Sequence, residues 1–280
     1  MQSNFNLTLN NIEYWLRPVS AIMADFRKFV LDPGTKKHRI FIDNGSKILL
    51  IAHLDTVQTP CLKKAGKKRI HAAGLDDRLG CMLGWRLANE LKVDLLLTDF
   101  EETGRTTAQW HACKEYNWVC ELDRAGDDVV TYGMESPVWK ALLEKYWDVG
   151  YGTYSDICEL DTNACCFNLG IGYEHAHSPT SYYDKKVYRR QVEKFRLFYK
   201  KHNGTIYLRD KKLKRRGLCF GFNNYSKYEK EQTYIDYPDY GNLKDADECQ
   251  ICGSVFGERI FDHIVCETCM DAVMETLYMS

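Results

Sequence analysis

Several apolar, strand-like runs of this sequence end in acidic or histidine residues. The runs KILLIAHLD, VDLLLTDFEE, NWVCELD and ACCFNLGIGYEHAH end in His53 and Asp55, Glu101 and Glu102, Asp123, and His175 and His177, respectively. Asp76, in AAGLDDRLG, opens a predicted helix. Because the carboxyl ends of parallel strands meet at one edge of an open α/β sheet, we expect these side chains to converge. Histidines and carboxylates at one point are the ligand set of paired divalent metals, so the pattern indicates two-metal hydrolytic chemistry.

The elements that would position these residues alternate between strands and helices. Apolar runs predict strands at residues 39–43, 47–52, from 95, 118–122 and 165–171. Helical spacing predicts helices at residues 11–30 with a break at Pro18, 77–91, 104–114, from Ser136, and a long one within 182–204. This alternation predicts an α/β fold whose mostly parallel sheet is sandwiched by helices.

In two of these clusters, the spacing of neighbouring residues indicates how they could share the work of binding a metal. In His53-Leu-Asp55 the imidazole can bind a metal while the carboxylate two residues later orients it. If residues 101 and 102 are extended, Glu101 and Glu102 point to opposite sides, and one can bind metal while the other faces a bound water. Two buried glutamates side by side oppose joint ionisation, so a nearby cation would relieve the cost.

Composition limits the class of protein. The 280 residues are 45% hydrophobic and 28% charged, and the net charge of −1 provides no overall field for nucleic acid or membrane. The apolar runs are too short for transmembrane helices, and MQSNFNLTLNNIEYW lacks the features of a signal peptide. We therefore expect a cytoplasmic protein with no membrane partner. Eight of the twelve cysteines fit buried, reduced thiols: Cys61, Cys81, Cys113, Cys120, Cys158, Cys165, Cys166 and Cys219.

Five motifs carry a family resemblance. HLDTV (53–57), GLDDRLG (74–80), FEETG (100–104), ELDRAG (121–126) and GYEHAHS (172–178) occur in the order found in co-catalytic zinc exopeptidases. The chain thus resembles the superfamily of aminoacylase-like and carboxypeptidase-like enzymes, leucyl aminopeptidases and tetrahedral aminopeptidases. The resemblance spans residues 35–200. It implies a metal-dependent hydrolase that cleaves peptide or related amide bonds.

The resemblance implies a dinuclear centre with five ligands: His53, Asp76, Glu102, Asp123 and His177. Asp76 would bridge the two metals, His53 and Asp123 would complete one site, and Glu102 and His177 would complete the other. Zinc suits this set of imidazoles and carboxylates, and manganese or cobalt would also fit its oxygen-rich part.

The resemblance also implies two catalytic side chains and further pocket residues. Glu101 would be the general base and Asp55 would orient the first metal site. His177 fits the family pattern G-Y-x-x-x-H, which leaves His175 as a substrate contact or an ordinary loop histidine. Ser155 and Asp156, in YSDIC, would line the substrate pocket, although an ordinary turn explains them equally well. In enzymes of this superfamily the peptide bond at the position of Asp76–Asp77 is often cis.

The spacing of the motifs argues against inserted domains. Only 22 residues separate His53 from Asp76, and only 53 separate Asp123 from His177. The tetrahedral branch inserts a domain in the first interval and the aminoacylase-like branch inserts a lid and dimerisation domain in the second. We therefore expect the compact branch without a lid domain, closer to the leucyl aminopeptidases. The run Asp76-Asp77-Arg78 instead resembles the tetrahedral type, which is the alternative subfamily.

A second metal site is predicted near the end of the chain. Thirteen residues separate Cys249-x-x-Cys252 from Cys266-x-x-Cys269, and such paired thiolates close a tetrahedron around structural zinc, with two disulfides or a redox pair as the alternatives. The second pair opens a predicted helix, which is typical of a small treble-clef or zinc-ribbon-like module. Acidic residues surround it, which disfavours nucleic acid and leaves a protein partner or the chain's own catalytic domain as the expected contact.

These observations predict three regions: a catalytic domain at residues 1–205, a connector at 206–244 and the four-cysteine module at 245–280. Six basic residues within 209–216 fit a solvated linker, with contact to an acidic partner or nucleic acid as the alternative. An aminopeptidase acting on peptide substrates is the leading hypothesis. The alternatives are a deacylase or amidase of a non-peptide small molecule, or a non-catalytic binding protein built on a retired peptidase fold.

Overall fold

A computed structural model gives the conformation of residues 9–210, together with the backbone of 258–260 and 263–265. Residues 1–223 and 224–280 form two separate compact units. Most of the basic segment, almost all of the predicted connector and the four cysteines predicted to bind zinc lie outside the described residues. Among the described helices, none combines the length and apolarity that crossing a bilayer requires.

The described helices are α1 (Ile12–Trp15), α2 (Val19–Asp25), α3 (Leu75–Leu91), α4 (Pro137–Leu143) and α5 (Lys185–His202). The described strands are β1 (Val30–Leu31), β2 (Arg39–Ile42), β3 (Ile48–His53), β4 (Cys61–Ala65), β5 (Arg69–Ala73), β6 (Asp94–Thr98), β7 (Trp118–Arg124), β8 (Val129–Val130), β9 (Cys165–Gly170), β10 (Tyr173–Glu174), β11 (Tyr182–Asp184), β12 (Glu258–Ile260) and β13 (His263–Val265). Short 3₁₀ helices occupy Arg27–Phe29, Glu101–Thr103, Thr107–Trp110 and Asp156–Cys158.

The main sheet has seven strands in the order β1-β2-β6-β3-β7-β9-β8. Its centre, β6-β3-β7-β9, is parallel, and the strands at both edges run antiparallel to their neighbours. β3, β6 and β9 are buried along their whole length, as expected for parallel strands covered on both faces. The predicted α/β fold with a mostly parallel sheet is therefore confirmed.

Different layers cover the two faces of this sheet. On one face Leu50 and Cys120 join a large apolar core with side chains of all five helices. On the other face Leu49 and Val119 pack with residues of the 3₁₀ helices and loops, including Ile157. The layer beneath the helices is densely aromatic: Trp118 lies 5.4 Å from Phe198 between ring centroids. Burying side chains of this size stabilises the fold by roughly 1.5–3 kcal/mol each.

A second sheet, in the order β10-β11-β5-β4, was not predicted from the sequence. It is antiparallel throughout. The hairpin β4–β5 fills most of the interval between His53 and Asp76, and within the described residues no lid domain occupies either interval. This agrees with the compact architecture expected from the spacing.

Two of the predicted helices differ from the structure. Residues 104–114 form only a 3₁₀ turn, Thr107–Trp110, and not a longer helix. The long helix begins at Lys185, because the carboxylate of Asp184 caps the Lys186 and Val187 N–H groups and the preceding Tyr182–Asp184 pairs with β5 as a strand. Of the seven described cysteines predicted to be buried reduced thiols, five are buried and two, Cys61 and Cys113, are half-buried; none of the seven is in a disulfide.

Candidate metal centre

The five predicted ligands reach one edge of the main sheet from five places in the chain. His53 is the last residue of β3, and Asp123 lies near the end of the parallel neighbour β7. Glu102 follows β6, Asp76 lies at the start of α3, and His177 lies in the turn between β10 and β11. Parallel strands end at the same edge, which explains why residues so distant in sequence meet there.

Asp76 lies between the two histidines. Its Oδ1 atom is 3.4 Å from Nε2 of His53, and its Oδ2 atom is 3.2 Å from Nε2 of His177. The His53 Nε2 atom is also 3.5 Å from Oδ1 of Asp123, and the His177 Nε2 atom is 3.0 Å from Oε2 of Glu102. The five side chains therefore form two groups of three that share the carboxylate of Asp76.

The start of α3 holds this carboxylate in place. Asp76 and Asp77 have non-helical backbone angles, and the peptide bond between them is cis, as the resemblance implies. The Asp77 carboxylate accepts hydrogen bonds from the N–H groups of Gly80 (3.0 Å) and His53 (3.2 Å). Asp77, His53 and Asp123 also each offer a potential ligand atom within 4.8 Å of the others. Since both of its oxygens already bind backbone N–H groups, we place Asp77 behind the ligands and Asp76 among them.

Asp55 connects His53 to the segment that carries the two glutamates. The carbonyl oxygen of Asp55 is 3.0 Å from Nδ1 of His53, and its Oδ1 atom is 3.3 Å from the same nitrogen. The Asp55 carboxylate also accepts the N–H groups of Glu101 (3.1 Å) and Glu102 (3.0 Å). Burial raises the pKa of Asp55, but these interactions outweigh it and leave the pKa below its usual value. The ionised Asp55 thus connects the end of β3 to the turn that follows β6.

The two glutamates lie in a tight turn and not in the extended segment expected from the sequence. Phe100 has a left-handed backbone (φ 66°), and Glu101–Thr103 form a 3₁₀ helix. The carboxylate of Asp55 favours this turn because it binds two successive N–H groups. Even so, Glu101 and Glu102 face different partners: Oε2 of Glu101 is 3.8 Å from Nε2 of His53, whereas Glu102 meets His177.

The charges of the centre are strongly coupled. Burial raises the pKa of Asp123 to about 8 and that of Glu101 to about 9, and neighbouring carboxylates add to both shifts. Burial alone would lower the pKa of His53, but the surrounding carboxylates, chiefly Asp123, raise it well above its usual value. These shifts arise because several anions share a desolvated space. A cation in that space would favour the ionised carboxylates and the neutral imidazoles.

Two buried atoms at the centre have no hydrogen-bond partner among the described residues: Nε2 of His53 and Oε1 of Glu102. Unpaired buried polar atoms are costly, and imidazole nitrogen and carboxylate oxygen are both common ligands of zinc. His53, Asp76 and Glu102 each offer a ligand atom within 4.8 Å of the others. The side chains present therefore fit divalent metal ions.

The structure distinguishes the two histidines of the β10–β11 turn. His177 reaches Asp76 and Glu102, whereas His175 is exposed and stacks edge-on against Tyr182 with ring centroids 5.5 Å apart. Gln58 donates from Nε2 to the carbonyl oxygen of His177 at 3.2 Å and so helps to fix the turn. His175 lies beside the centre without joining the ligands.

Ser155 and Asp156 are fully buried, so neither is exposed to solvent in a cleft. The hydroxyl of Ser155 binds the carboxylate of Glu121, and that of Thr98 binds Asp156. The predicted substrate contact through these residues remains a prediction, and their burial favours a supporting role.

Sequence reasoning missed two groups near the centre, Glu121 and Tyr173, of which Tyr173 contacts a ligand. Glu121, two residues before Asp123, is fully buried and binds the 155–157 segment. Tyr173 donates its hydroxyl to Oδ1 of Asp123 at 3.2 Å. The available signal for Glu121 was an acidic residue between the apolar residues Cys120 and Leu122. Tyr173 was already part of the motif GYEHAHS.

No protein-family model matches this sequence, and no curated protein matches it. Several solved structures are similar to this chain. A tripeptidase from Staphylococcus aureus is 10% identical with a TM-score of 0.50, and the match covers 67% of this chain and 95% of that one. The aminopeptidase PepT from Bacillus cereus (9% identity, TM-score 0.43, 67% and 96% covered) and an aminopeptidase from Desulfurococcus kamchatkensis (18%, 0.40, 52% and 52%) also match. At such identities, the likeness to the tripeptidase shows a shared fold.

Proposed function

We propose that this chain is a metal-dependent hydrolase of peptide or related amide bonds, and most specifically an aminopeptidase with a dinuclear zinc centre. One observation carries the proposal: the carboxylate of Asp76 directs one oxygen to His53 and the other to His177. This is the arrangement expected of a carboxylate that bridges two metals. The fold shared with a tripeptidase supports the same reading.

In this proposal His53, Asp76 and Asp123 hold one cation, and Asp76, Glu102 and His177 hold the other. When bound, two such cations supply Lewis acidity to a substrate carbonyl and lower the pKa of a water molecule. Zinc fits the mixed imidazole and carboxylate ligands, and manganese or cobalt are the alternatives. Asp55 keeps the imidazole of His53 in register with the turn that carries Glu102.

Glu101 is the proposed general base. Its carboxylate lies outside both ligand groups, with Oε2 3.8 Å from Nε2 of His53, whereas the carboxylates of Asp55 and Asp77 bind backbone N–H groups. It would take a proton from water and hand it to the leaving amine. With a pKa of about 9, Glu101 keeps its own proton at neutral pH while the ligands carry no cation. Glu101 can therefore act as a base only when metal ions occupy the centre.

His175 is the proposed substrate contact at the mouth of the centre. It is exposed, two residues from His177, and held by the ring of Tyr182. An imidazole there can bind polar groups of a peptide. The fully buried Ser155 and Asp156 would instead act through the residues that they hold.

We further propose a structural zinc at Cys249, Cys252, Cys266 and Cys269. The hairpin of β12 and β13 lies in sequence between the two cysteine pairs, with Glu258 paired to Val265 and Ile260 to His263. A hairpin brings the chain entering β12 and the chain leaving β13 side by side, which supports convergence of the pairs. A closed four-thiolate site would serve structure or a protein partner.

Metal analysis combined with a substrate panel tests the proposal. The purified chain should hold three zinc ions, and Cys249→Ser should reduce the number to two without loss of hydrolysis. Aminoacyl anilides should be cleaved, and a chelator should abolish cleavage. Hydrolysis of N-acyl amino acids alone would favour the deacylase. A chain with one zinc and no hydrolysis of either class would be a binding protein, which contradicts the proposal.

A further inference from the structure

Asp123 lies at an irregular point of its strand. The register of β7 against β9 pairs Glu121 with Asn168 and Arg124 with Gly170, so two residues of β7 lie opposite one residue of β9. Such a bulge re-aims a side chain and leaves ladder hydrogen bonds unmade. The side-chain amide of Asn168 accepts the N–H of Asp123 at 3.0 Å and donates to its carbonyl oxygen at 2.8 Å. The backbone of Asp123 is therefore fixed, whereas its carboxylate needs other partners.

The hydroxyl of Tyr173 reaches that carboxylate. Tyr173 is buried and donates to Oδ1 of Asp123 at 3.2 Å. The same oxygen lies 3.5 Å from Nε2 of His53. Because a carboxylate oxygen has two lone pairs, Oδ1 can accept the hydroxyl and still face a cation beside His53. A buried phenol hydroxyl normally keeps such a partner, since leaving it unpaired is costly.

The backbone of Tyr173 is held independently of its hydroxyl. Its carbonyl oxygen accepts the N–H of Gly126 at 2.9 Å, and the residue pairs with Tyr183 of β11. The preceding residue, Gly172, donates its N–H to the carbonyl oxygen of Gly126 at 2.8 Å. Tyr173 thus connects the segment that follows β7 to the hairpin that carries His177. Removal of the hydroxyl alone should leave these backbone contacts in place.

We propose that Tyr173 is a positioning residue, whose hydroxyl orients the carboxylate of Asp123 toward a cation held together with His53. The inference rests on the proposed function for that cation, whereas the hydrogen bond itself is a property of the fold. Partners one step removed from a metal ligand typically change metal affinity or activity about 10–100-fold when they are lost.

A second tyrosine of this chain provides a matched control. Tyr116 is buried like Tyr173 and donates its hydroxyl to Oδ2 of Asp94 at 3.1 Å. Asp94 is the first residue of β6, so this pair lies at the opposite edge of the main sheet from the metal centre. Tyr173→Phe and Tyr116→Phe each remove one hydroxyl from an aspartate and keep the aromatic ring. Of the two aspartates, only Asp123 is a proposed ligand.

The first readout needs no metal. Aspartate labelled with carbon-13 at the carboxyl carbon is observed by NMR in the chelated protein, and Asp123→Asn and Asp94→Asn assign the two resonances. Tyr173→Phe should shift the resonance of Asp123 and leave that of Asp94 in place, and Tyr116→Phe should do the reverse. An Asp123 resonance that does not respond to Tyr173→Phe would overturn the proposal.

The second readout is cobalt affinity, measured by titration and visible absorption. Tyr173→Phe should weaken one of the two cobalt sites of the centre about 10–100-fold, whereas Tyr116→Phe should match the wild type at both. Urea unfolding confirms that both variants are folded. Wild-type cobalt affinity in a folded Tyr173→Phe protein would contradict the positioning role, as would an equal loss of affinity in Tyr116→Phe.

The two readouts separate this inference from the proposed function. If the wild-type chain binds no cobalt at its two-histidine centre, the proposed function fails, and the carboxyl resonance still decides whether Tyr173 orients Asp123. If the wild type binds two cobalt ions and Tyr173→Phe binds both equally well, the positioning role alone fails.

Discussion

The proposed ligands differ widely in their exposure to solvent. The side chain of His53 is 1% exposed and bonded to Asp55 on its far side, whereas that of His177 is 56% exposed and lies in a turn. A ligand that is rigidly held loses little freedom when it binds a metal, while a mobile one loses more. The cation held by His177 and Glu102 should therefore be the weaker-bound of the two.

Replacing each histidine of the turn tests the assignment of His177. His177→Ala should remove one of the two cations of the centre and most hydrolysis, because Asp76 and Glu102 would lose their shared partner. His175→Ala should keep both cations and change KM more than kcat. Metal analysis of the two variants after identical dialysis gives the answer. If His175→Ala loses the cation and His177→Ala keeps it, the assignment is wrong.

The role of Glu101 has a separate test. Glu101→Gln preserves size and removes the ability to accept a proton, so kcat should fall about 10²–10⁴-fold while both cations remain bound. Glu144→Gln, at an exposed position, serves as the control for an ordinary loss of charge. Steady-state rates of the metal-replete proteins provide the comparison. Retained turnover in Glu101→Gln would exclude Glu101 as the base.

At the scale of single residues, the sequence indicated the candidate ligands that end apolar runs. It indicated few of the buried polar residues that lie behind those ligands. His53 and Asp123 were predictable because parallel strands share one carboxyl edge. Glu121 was not, because an acidic side chain inside a strand does not reveal whether it is buried. Asp156 was expected to line a pocket, since sequence does not show which loop residues the fold covers.

Among the elements, the start of α3 most directly affects the ligands. Gly80 has no room for a Cβ atom, which would overlap the carboxylate of Asp77 and the carbonyl oxygen of Leu122. That carboxylate also binds the N–H of His53. The first turn of α3 is therefore tightly packed against β7 and against the end of β3.

Alanine substitutions at two glycines of α3 test this packing. Gly80→Ala should destabilise the chain by about 1–3 kcal/mol, because neither the backbone of Leu122 nor the buried Asp77 can move away easily. Gly84→Ala gains similar helix propensity, and its Cβ would meet the flexible side chain of Leu95, at 2.8 Å from Cδ1, so we expect a smaller effect. Urea unfolding of both proteins measures the difference. Equal stabilities would show that the first turn is not tightly packed.

The elements themselves were predicted unevenly. Long apolar runs gave β3, β6 and β9, and Ser136 with Pro137 marked the start of α4. The second sheet was missed because its strands are short, and the β4–β5 hairpin is exposed and rich in lysine. Residues 101 and 102 were expected to be extended, and the tight turn there depends on Asp55, which is distant in sequence.

For the whole molecule, the metal-free centre should make stability depend on pH. The folded chain raises the pKa of Glu101 from 4.5 to about 9, of Asp123 from 3.8 to about 8 and of His177 from 6.5 to about 9. Between pH 5 and 9 the folded state therefore binds more protons than the unfolded state, and stability falls as pH rises.

Thermal melting of the chelated chain from pH 5.5 to 9 measures this effect. The midpoint should decrease steadily across the range, and added zinc should raise it most at the alkaline end, where the carboxylates are ionised. Glu101→Gln should show a shallower decrease, because one of the titrating groups is gone. A midpoint that rises with pH in the chelated protein would contradict the charge distribution described for the centre.

Zinc-edge anomalous diffraction from crystals of the zinc-loaded chain tests the central claim most directly. The account predicts two anomalous peaks at the edge of the main sheet, one in contact with His53 and Asp123 and the other with Glu102 and His177, with an oxygen of Asp76 at each. A single peak there, or none while zinc is bound elsewhere in the crystal, would contradict a dinuclear centre.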